Sequence, residues 1–280
     1  MIIFKSAGQL TAYLEKQRNS GASIGFVPTM GALHKGHISL IEQSSAQNSL
    51  TVCSIFVNPT QFNNKEDFKH YPITIEKDIE ELNYAGCSIL FLPTEAEIYP
   101  TNYLSVHYEL GKLESILEGY YRPGHFQGVC QVVDRLLSIV NPHNIYIGQK
   151  DYQQCMVIKR LIELLGKSGQ IRINIAPTIR EKDGLAMSSR NLRLTNDQRS
   201  KALTIYTELS AIKEHLNEEP LDQLKKEAIR HLQEAGFFVD YVEIANAETL
   251  EPAANKKEQL VALIAASLGD VRLIDNISLN

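Results

Sequence analysis

The chain has 280 residues, 44% of them hydrophobic and 22% charged, and a formal net charge of −5. That is enough apolar sequence to fill one large domain, or a main domain and a smaller one. The acidic balance argues against a nucleic-acid binder, and no apolar stretch approaches the length of a membrane span.

Residues 1–5 are too short an apolar run for a signal peptide. Cys53, Cys87, Cys130 and Cys155 contain no C-x-x-C pair, which predicts reduced core thiols and a cytoplasmic protein. Ser6 and Gln9 have capping-box spacing and predict a helix over 7–18. Residues 24–27 read as a buried strand that Pro28, with no N–H to give, is expected to end. Next comes Met30-Gly31-Ala32-Leu33-His34-Lys35-Gly36-His37, a glycine turn leading into a helix predicted over 36–47. Strand, glycine turn and helix N-terminus together present backbone N–H groups to an anion. His34 and His37 share a face if the helix has begun there, and a charged histidine donates from both ring nitrogens. Two other readings stay open at this point. The junction is ordinary α/β punctuation, or the pair is half of a metal site, although zinc takes three or four protein ligands and no third is adjacent.

Residues 50–57 are nearly all apolar, as in a parallel strand covered on both faces, and they run into Asn58-Pro59-Thr60-Gln61. Amides at such a strand end serve either a ligand or their own turn. A helix opens at Pro72 and Thr74, a strand is expected over 88–92, and the tyrosine-rich 94–124 reads as an inserted lobe or lid. Val129, Val132, Val133, Leu136, Leu137 and Val140 have helical spacing, with His125 a structural residue at the start. A strand over 144–147 turns through Gly148-Gln149-Lys150-Asp151 into a helix reaching 165, and 171–175 alternates as a strand. Alternating strands and helices over 1–176 predict an α/β domain with a doubly wound parallel sheet. Residues 177–280 read as a smaller α+β domain. In it Thr195 and Gln198 cap a long helix, 221–235 is another, and strands fall at 237–244, 260–266 and 271–274. Near its start, Met187-Ser188-Ser189-Arg190-Asn191 follows a glycine turn. Two hydroxyls and the rigid donor fork of Arg190 suit a polyphosphate.

His34-Lys35-Gly36-His37 resembles the His-x-Gly-His signature of the nucleotidyltransferase superfamily. The longer string from Pro28 to His37, with the Met-Ser-Ser-Arg-Asn run, is similar to the pantoate–β-alanine ligase family. The resemblance covers about 25–191, with four motifs in the family's order. It implies a Rossmann-like ATP-binding domain, a smaller C-terminal domain and a homodimer. It also implies an ATP- and Mg²⁺-dependent reaction in which (R)-pantoate forms pantoyl adenylate, then meets β-alanine to give pantothenate and AMP.

Carried over residue by residue, the resemblance puts ATP on Met30, Gly31, Ala32 and Leu33, and on His34, Lys35, Gly36 and His37. It adds Gly148, Gln149, Lys150 and Asp151, then Ile179, Met187, Ser188, Ser189 and Arg190. Catalytic parts fall to His37, His34, Lys150 and Arg190, with His37 nearest the α-phosphate. Gln61 and Gln154 would hold pantoate with Asn58, and Val132 and Val133 would wall its gem-dimethyl group. Metal ligands are not indicated. The family usually shows Gly-Glu-Lys-Asp, so Gln149 removes one charge. Two other classes stay open. An adenylyltransferase acting on another acid or a phosphorylated carrier would share the histidine turn without the paired glutamines. A non-catalytic adenine-nucleotide binder would not need both His37 and Lys150.

Overall fold

The structure, a computed structural model, describes residues 1–280. The chain separates into two compact units, Met1–Gly148 with Gln154–Pro177, and Gln149–Gln153 with Thr178–Asn280.

The first unit runs β1 (Ile2–Phe4), α1 (Ala7–Asn19), β2 (Ile24–Thr29), α2 (Lys35–Gln47) and β3 (Leu50–Ile55). It continues through α3 (Lys65–Lys69), α4 (Ile75–Tyr84), β4 (Ile89–Phe91), α5 (Glu95–Ile98), α6 (Glu118–Tyr121) and α7 (His125–Val140). Then come β5 (Asn144–Gly148), α8 (Tyr152–Leu164), whose first two residues group with the second unit, and β6 (Arg172–Ala176). The six strands form one sheet in the order β1-β4-β3-β2-β5-β6, every neighbouring pair parallel. From β2 the chain winds outward one way through β3 and β4, then the other way through β5 and β6. The order therefore reverses between β2 and β5, and ligands of such sheets bind at the carboxyl ends there. Phe26 and Val52 join the apolar cluster of α1, α7 and α8, whereas Val27 and Cys53 join that of α2 and α4. Both faces are covered, which is why these strands read as continuous apolar runs.

Three local expectations are corrected, and one strand is not among those expected. Pro28 lies inside β2, opposite Ser54. The His143 N–H donates to the Ile24 carbonyl, so Ile24, Phe26 and Pro28 turn their backbone toward β5; that ladder ends at Phe26, and Pro28 withholds no bond. Ser6 makes no side-chain cap; the Ala7 N–H donates instead to Glu97 Oε2 at 2.7 Å. β1 is a three-residue edge strand, too short for periodicity to announce. The 94–124 segment is neither lobe nor lid. Ile98, Tyr108 and Leu110 are buried in the main core, and Tyr108 donates to Asp134 on α7 at 2.7 Å.

The second unit contains α9 (Asn196–Lys201), α10 (Leu203–Glu214), α11 (Leu221–Glu234), β7 (Phe238–Asn246), β8 (Leu260–Leu268) and β9 (Val271–Ser278). The three strands form an antiparallel sheet in the order β7-β8-β9. Its inward residues Leu260, Ala262, Ile264, Ala266 and Leu268 pack on Ile205, Leu209 and Ile212 of α10 and on Leu224, Ala228 and Leu232 of α11. The Thr195–Gln198 capping box forms, but the expected long helix is two, joined at Ala202. Gln149–Gln153 groups with this unit and not with the strand that precedes it. The Asn276 amide donates to the Gln149 and Lys150 carbonyls, and the Tyr152 hydroxyl donates to Ala247.

Candidate active site

At the carboxyl end of β2 the chain makes a tight turn through Gly31 and Ala32, with φ of +80° and +48°. Three anchors hold it. The Thr29 hydroxyl donates to the Ser54 carbonyl at 2.7 Å and accepts from the Gly31 N–H at 3.2 Å. Buried Asp78, on α4, accepts from the Ala32 and Leu33 N–H groups at 2.9 and 2.8 Å. A Cβ at Gly31 would stand 3.0 Å from Ile55 and 3.1 Å from that carboxylate, so glycine suits both the φ and the space.

His34 is the N-cap of α2 and forms a reciprocal pair with His37. His34 Nδ1 accepts from the Gly36 N–H at 3.2 Å, and His37 Nδ1 accepts from the His34 N–H at 3.3 Å. The two rings lie 4.0 Å apart between centroids. A ring nitrogen that accepts carries no proton, so each neutral imidazole bears its hydrogen on Nε2. The cap that starts the helix thereby fixes the tautomer of both histidines.

Past β3, the 3₁₀ turn Pro59–Gln61 carries the amides. Asn58 is buried and spends its side chain on structure. Nδ2 donates to Gln61 Oε1 at 3.2 Å and to the Gly128 carbonyl at 3.1 Å; Oδ1 accepts from the Tyr99 and Thr60 hydroxyls at 2.9 and 3.0 Å. Burial pushes the Tyr99 hydroxyl up to about 12, so it stays a donor to Asn58. Gln61 Nε2 is directed at Met30 Sδ, 3.0 Å away and a weak acceptor. His125 Nδ1 donates to the Gln61 carbonyl at 2.8 Å. Val132 and Val133 are buried in the main core. Gln154 is half-buried near the start of α8.

In the second unit, Lys150 sits in the 3₁₀ turn Gln149–Asp151 with its ammonium 3.6 Å from Asp151 Oδ1. Arg180 pairs with Ala186 as the two sides of a short arm, and the Met187 N–H returns to the Ile179 carbonyl at 3.0 Å. Ser188 caps the 3₁₀ turn Ser189–Arg193, accepting from the Arg190 N–H at 3.3 Å. Asn191 Nδ2 ties that turn to the Ala186 carbonyl at 3.0 Å.

In the first unit the structure pairs Met30 with Gln61 and His34 with His37. Lys150 and the 180–191 arm belong to the second. Sequence reading missed Asp78, Tyr99 and Gly128. Asp78 carries one weak signal, an acid among the apolar positions of α4. Gly128 carries another, a glycine inside a helix; a Cβ there would stand 2.3 Å from the Thr60 carbonyl oxygen.

A doubly wound parallel sheet with a paired-histidine glycine turn at its switch point defines a Rossmann-like nucleotide-binding protein. The family model described as pantoate-beta-alanine ligase matches residues 2–278, and the chain belongs to that family. It is 45% identical over 288 residues to a pantothenate synthetase of Cytophaga hutchinsonii, covering 99% of each chain. A Thermotoga petrophila pantothenate synthetase is 42% identical over 279 residues, again covering 99% of each. Among solved structures, a pantothenate synthetase from Thermus thermophilus superposes with a TM-score of 0.93 at 37% identity, covering 100% of this chain and 99% of that one. A Francisella tularensis pantoate-beta-alanine ligase, complexed with beta-gamma ATP and beta-alanine, superposes with a TM-score of 0.81 at 38% identity, covering 99% of this chain and 97% of that one.

Proposed function

We propose that the chain ligates (R)-pantoate to β-alanine, using ATP and passing through pantoyl adenylate. The reciprocal histidine cap carries the reading, because it fixes two Nε2–H donors at the start of a helix, beside the turn that the family uses for phosphate. A carboxylate oxygen of pantoate attacks the α-phosphorus, and pyrophosphate leaves. The β-alanine amine then attacks the activated acyl carbon, AMP leaves with the acyl oxygen, and the amine loses a proton. Charge grows on the departing pyrophosphate, and preorganised donors reduce that cost. His34, His37, Lys150, Ser188, Ser189 and Arg190 are the donors, with His37 nearest the α-phosphate. The remaining turn residues, with Gln149, Asp151, Ile179 and Met187, bind the rest of the nucleotide.

Gln61 and Gln154 hold pantoate. Gln61 suits this part, since a ligand oxygen is a better acceptor for its Nε2 than the Met30 thioether. Asn58, its hydrogen bonds already used, orients Gln61. No three carboxylate, imidazole or thiol groups converge as a metal cage. The resemblance implies Mg²⁺, which would arrive with the triphosphate and keep several waters, the usual habit of that ion. Bound so, it would supply charge neutralisation to the phosphates. The family resemblance supports a homodimer, and four buried thiols held outside any disulfide suit the cytoplasm. No helix is long and apolar enough to cross a membrane.

The test is stepwise. Pyrophosphate should appear with ATP and pantoate alone, and AMP should follow only on adding β-alanine. Pyrophosphate release with another acid or a phosphorylated carrier, and none with pantoate, would select the adenylyltransferase reading. ATP binding without turnover of any acid would select the non-catalytic one.

A further inference from the structure

Two consecutive polar residues of β9, Asp275 and Asn276, are buried in the second unit. Their strand pairs through the backbone with Ile264 and Leu263, so the sheet itself does not require polar side chains here. Asn276 Nδ2 donates to the Gln149 carbonyl at 3.0 Å and to the Lys150 carbonyl at 2.8 Å. Its Oδ1 accepts from Gln149 Nε2 at 3.4 Å. One planar amide thus holds two successive carbonyls of the turn that presents Lys150. The neighbouring residue holds the other phosphate element. Asp275 Oδ1 and the Asn276 carbonyl accept from Arg180 Nη2 at 3.1 and 3.2 Å, and Arg180 Nη1 donates to the Gly184 carbonyl at 3.1 Å. Arg180 is the root of the arm that carries Ser188 and Arg190, and its guanidinium lies 4.3 Å over the Tyr206 ring.

We propose that Asn276 is a positioning residue that fixes the Lys150 turn for adenylate formation, with Asp275 setting the arm through Arg180. Asparagine suits the place because a carboxylate would face two carbonyl oxygens and an apolar side chain would leave both unpaired. Gln149 matters in the same frame. Where the family usually has a carboxylate, this chain supplies an amide donor that turns the Asn276 oxygen away from those carbonyls.

The proposal rests on Lys150 serving the nucleotide, and a double-mutant cycle separates the two claims. Asn276→Ala should lower pantoate-dependent pyrophosphate release by about 10²-fold in kcat, the size expected of a misplaced reacting group, with the KM for pantoate unchanged. In the Lys150→Ala background the same change should cost no more than about twofold, because the group it positions is gone. Equal losses in both backgrounds would make Asn276 merely structural and overturn the proposal, leaving Lys150 in place. Wild-type turnover by Lys150→Ala would remove the Lys150 assignment itself. Asn276→Asp, the same shape without the donors, should share the defect; full activity in that folded variant would also overturn the proposal.

Discussion

Each histidine of the glycine turn helps cap a helix and, in the proposed reaction, donates to phosphate, and mutation tests both parts. In the proposed reaction His37→Ala removes a donor to the developing pyrophosphate charge, at a cost of about 10²–10³ in rate. It also removes the acceptor for the His34 N–H, a cap worth about 1 kcal/mol. The expected result is a folded enzyme, slightly easier to unfold in urea, with pyrophosphate release nearly lost; a normal rate would remove His37 from the chemistry. Asp78 tests the same turn without touching substrate. It accepts from two turn N–H groups and from the Thr74 hydroxyl. In Asp78→Asn one oxygen becomes an NH₂ that cannot accept, so a buried N–H loses its partner at about 1–3 kcal/mol. Urea unfolding should show that loss, and adenylate formation should fall with it because Ala32 is held at positive φ by those bonds. Unchanged stability would mean that the turn closes without Asp78.

At the scale of elements, the proposed pantoate site depends on how closely α7 lies against the 3₁₀ turn Pro59–Gln61. Gly128 allows that approach, with the Thr60 carbonyl and Gln61 Cα where a Cβ would go. Gly128→Ala must displace the turn, and Gln61 with it. It should raise the KM for pantoate while leaving ATP binding, read by calorimetric titration, nearly unchanged. Gln61→Ala should show the same split, and equal losses for both ligands would make the turn a general support. These contacts also show what was legible in the sequence. The doubly wound sheet could be read because β2, β3 and β5 are covered on both faces and carry continuous apolar runs. The His34–His37 turn and the Ser188–Arg190 run could be read because each is contiguous. Asp78 could not, since it meets Ala32 across 46 positions, nor could the Arg180–Asp275 pair, 95 apart. Pro28 misled because its missing N–H matters only where a partner strand continues, which is a property of the sheet and not of the residue.

For the whole molecule, the buried thiols predict how stability responds to alkali. All four are buried and none forms a disulfide. Burial pushes the Cys87 thiol up to about 11 and the Cys130 thiol up to about 12, and raises Cys53 as well, because a thiolate would be stranded in the apolar core. In the unfolded chain the same thiols ionise near 9. Below that pH both states hold the proton and the thiols leave stability unchanged. Above it the unfolded state releases protons that the folded state keeps, so stability falls as pH rises. For Cys87 the fall runs from about pH 9 to 11, and for Cys130 it continues to about 12. Each thiol contributes a slope approaching about 1.4 kcal/mol per pH unit within its window. Urea denaturation at a series of pH values from 8 to 11 measures this, and Cys87→Ser with Cys130→Ala isolates the thiols from lysine and tyrosine titration in the same range. The double variant should show a shallower alkaline decline than the parent. Parallel curves would mean that the core admits the thiolates, and an aromatic disulfide reagent would then label the native protein as fast as the unfolded one.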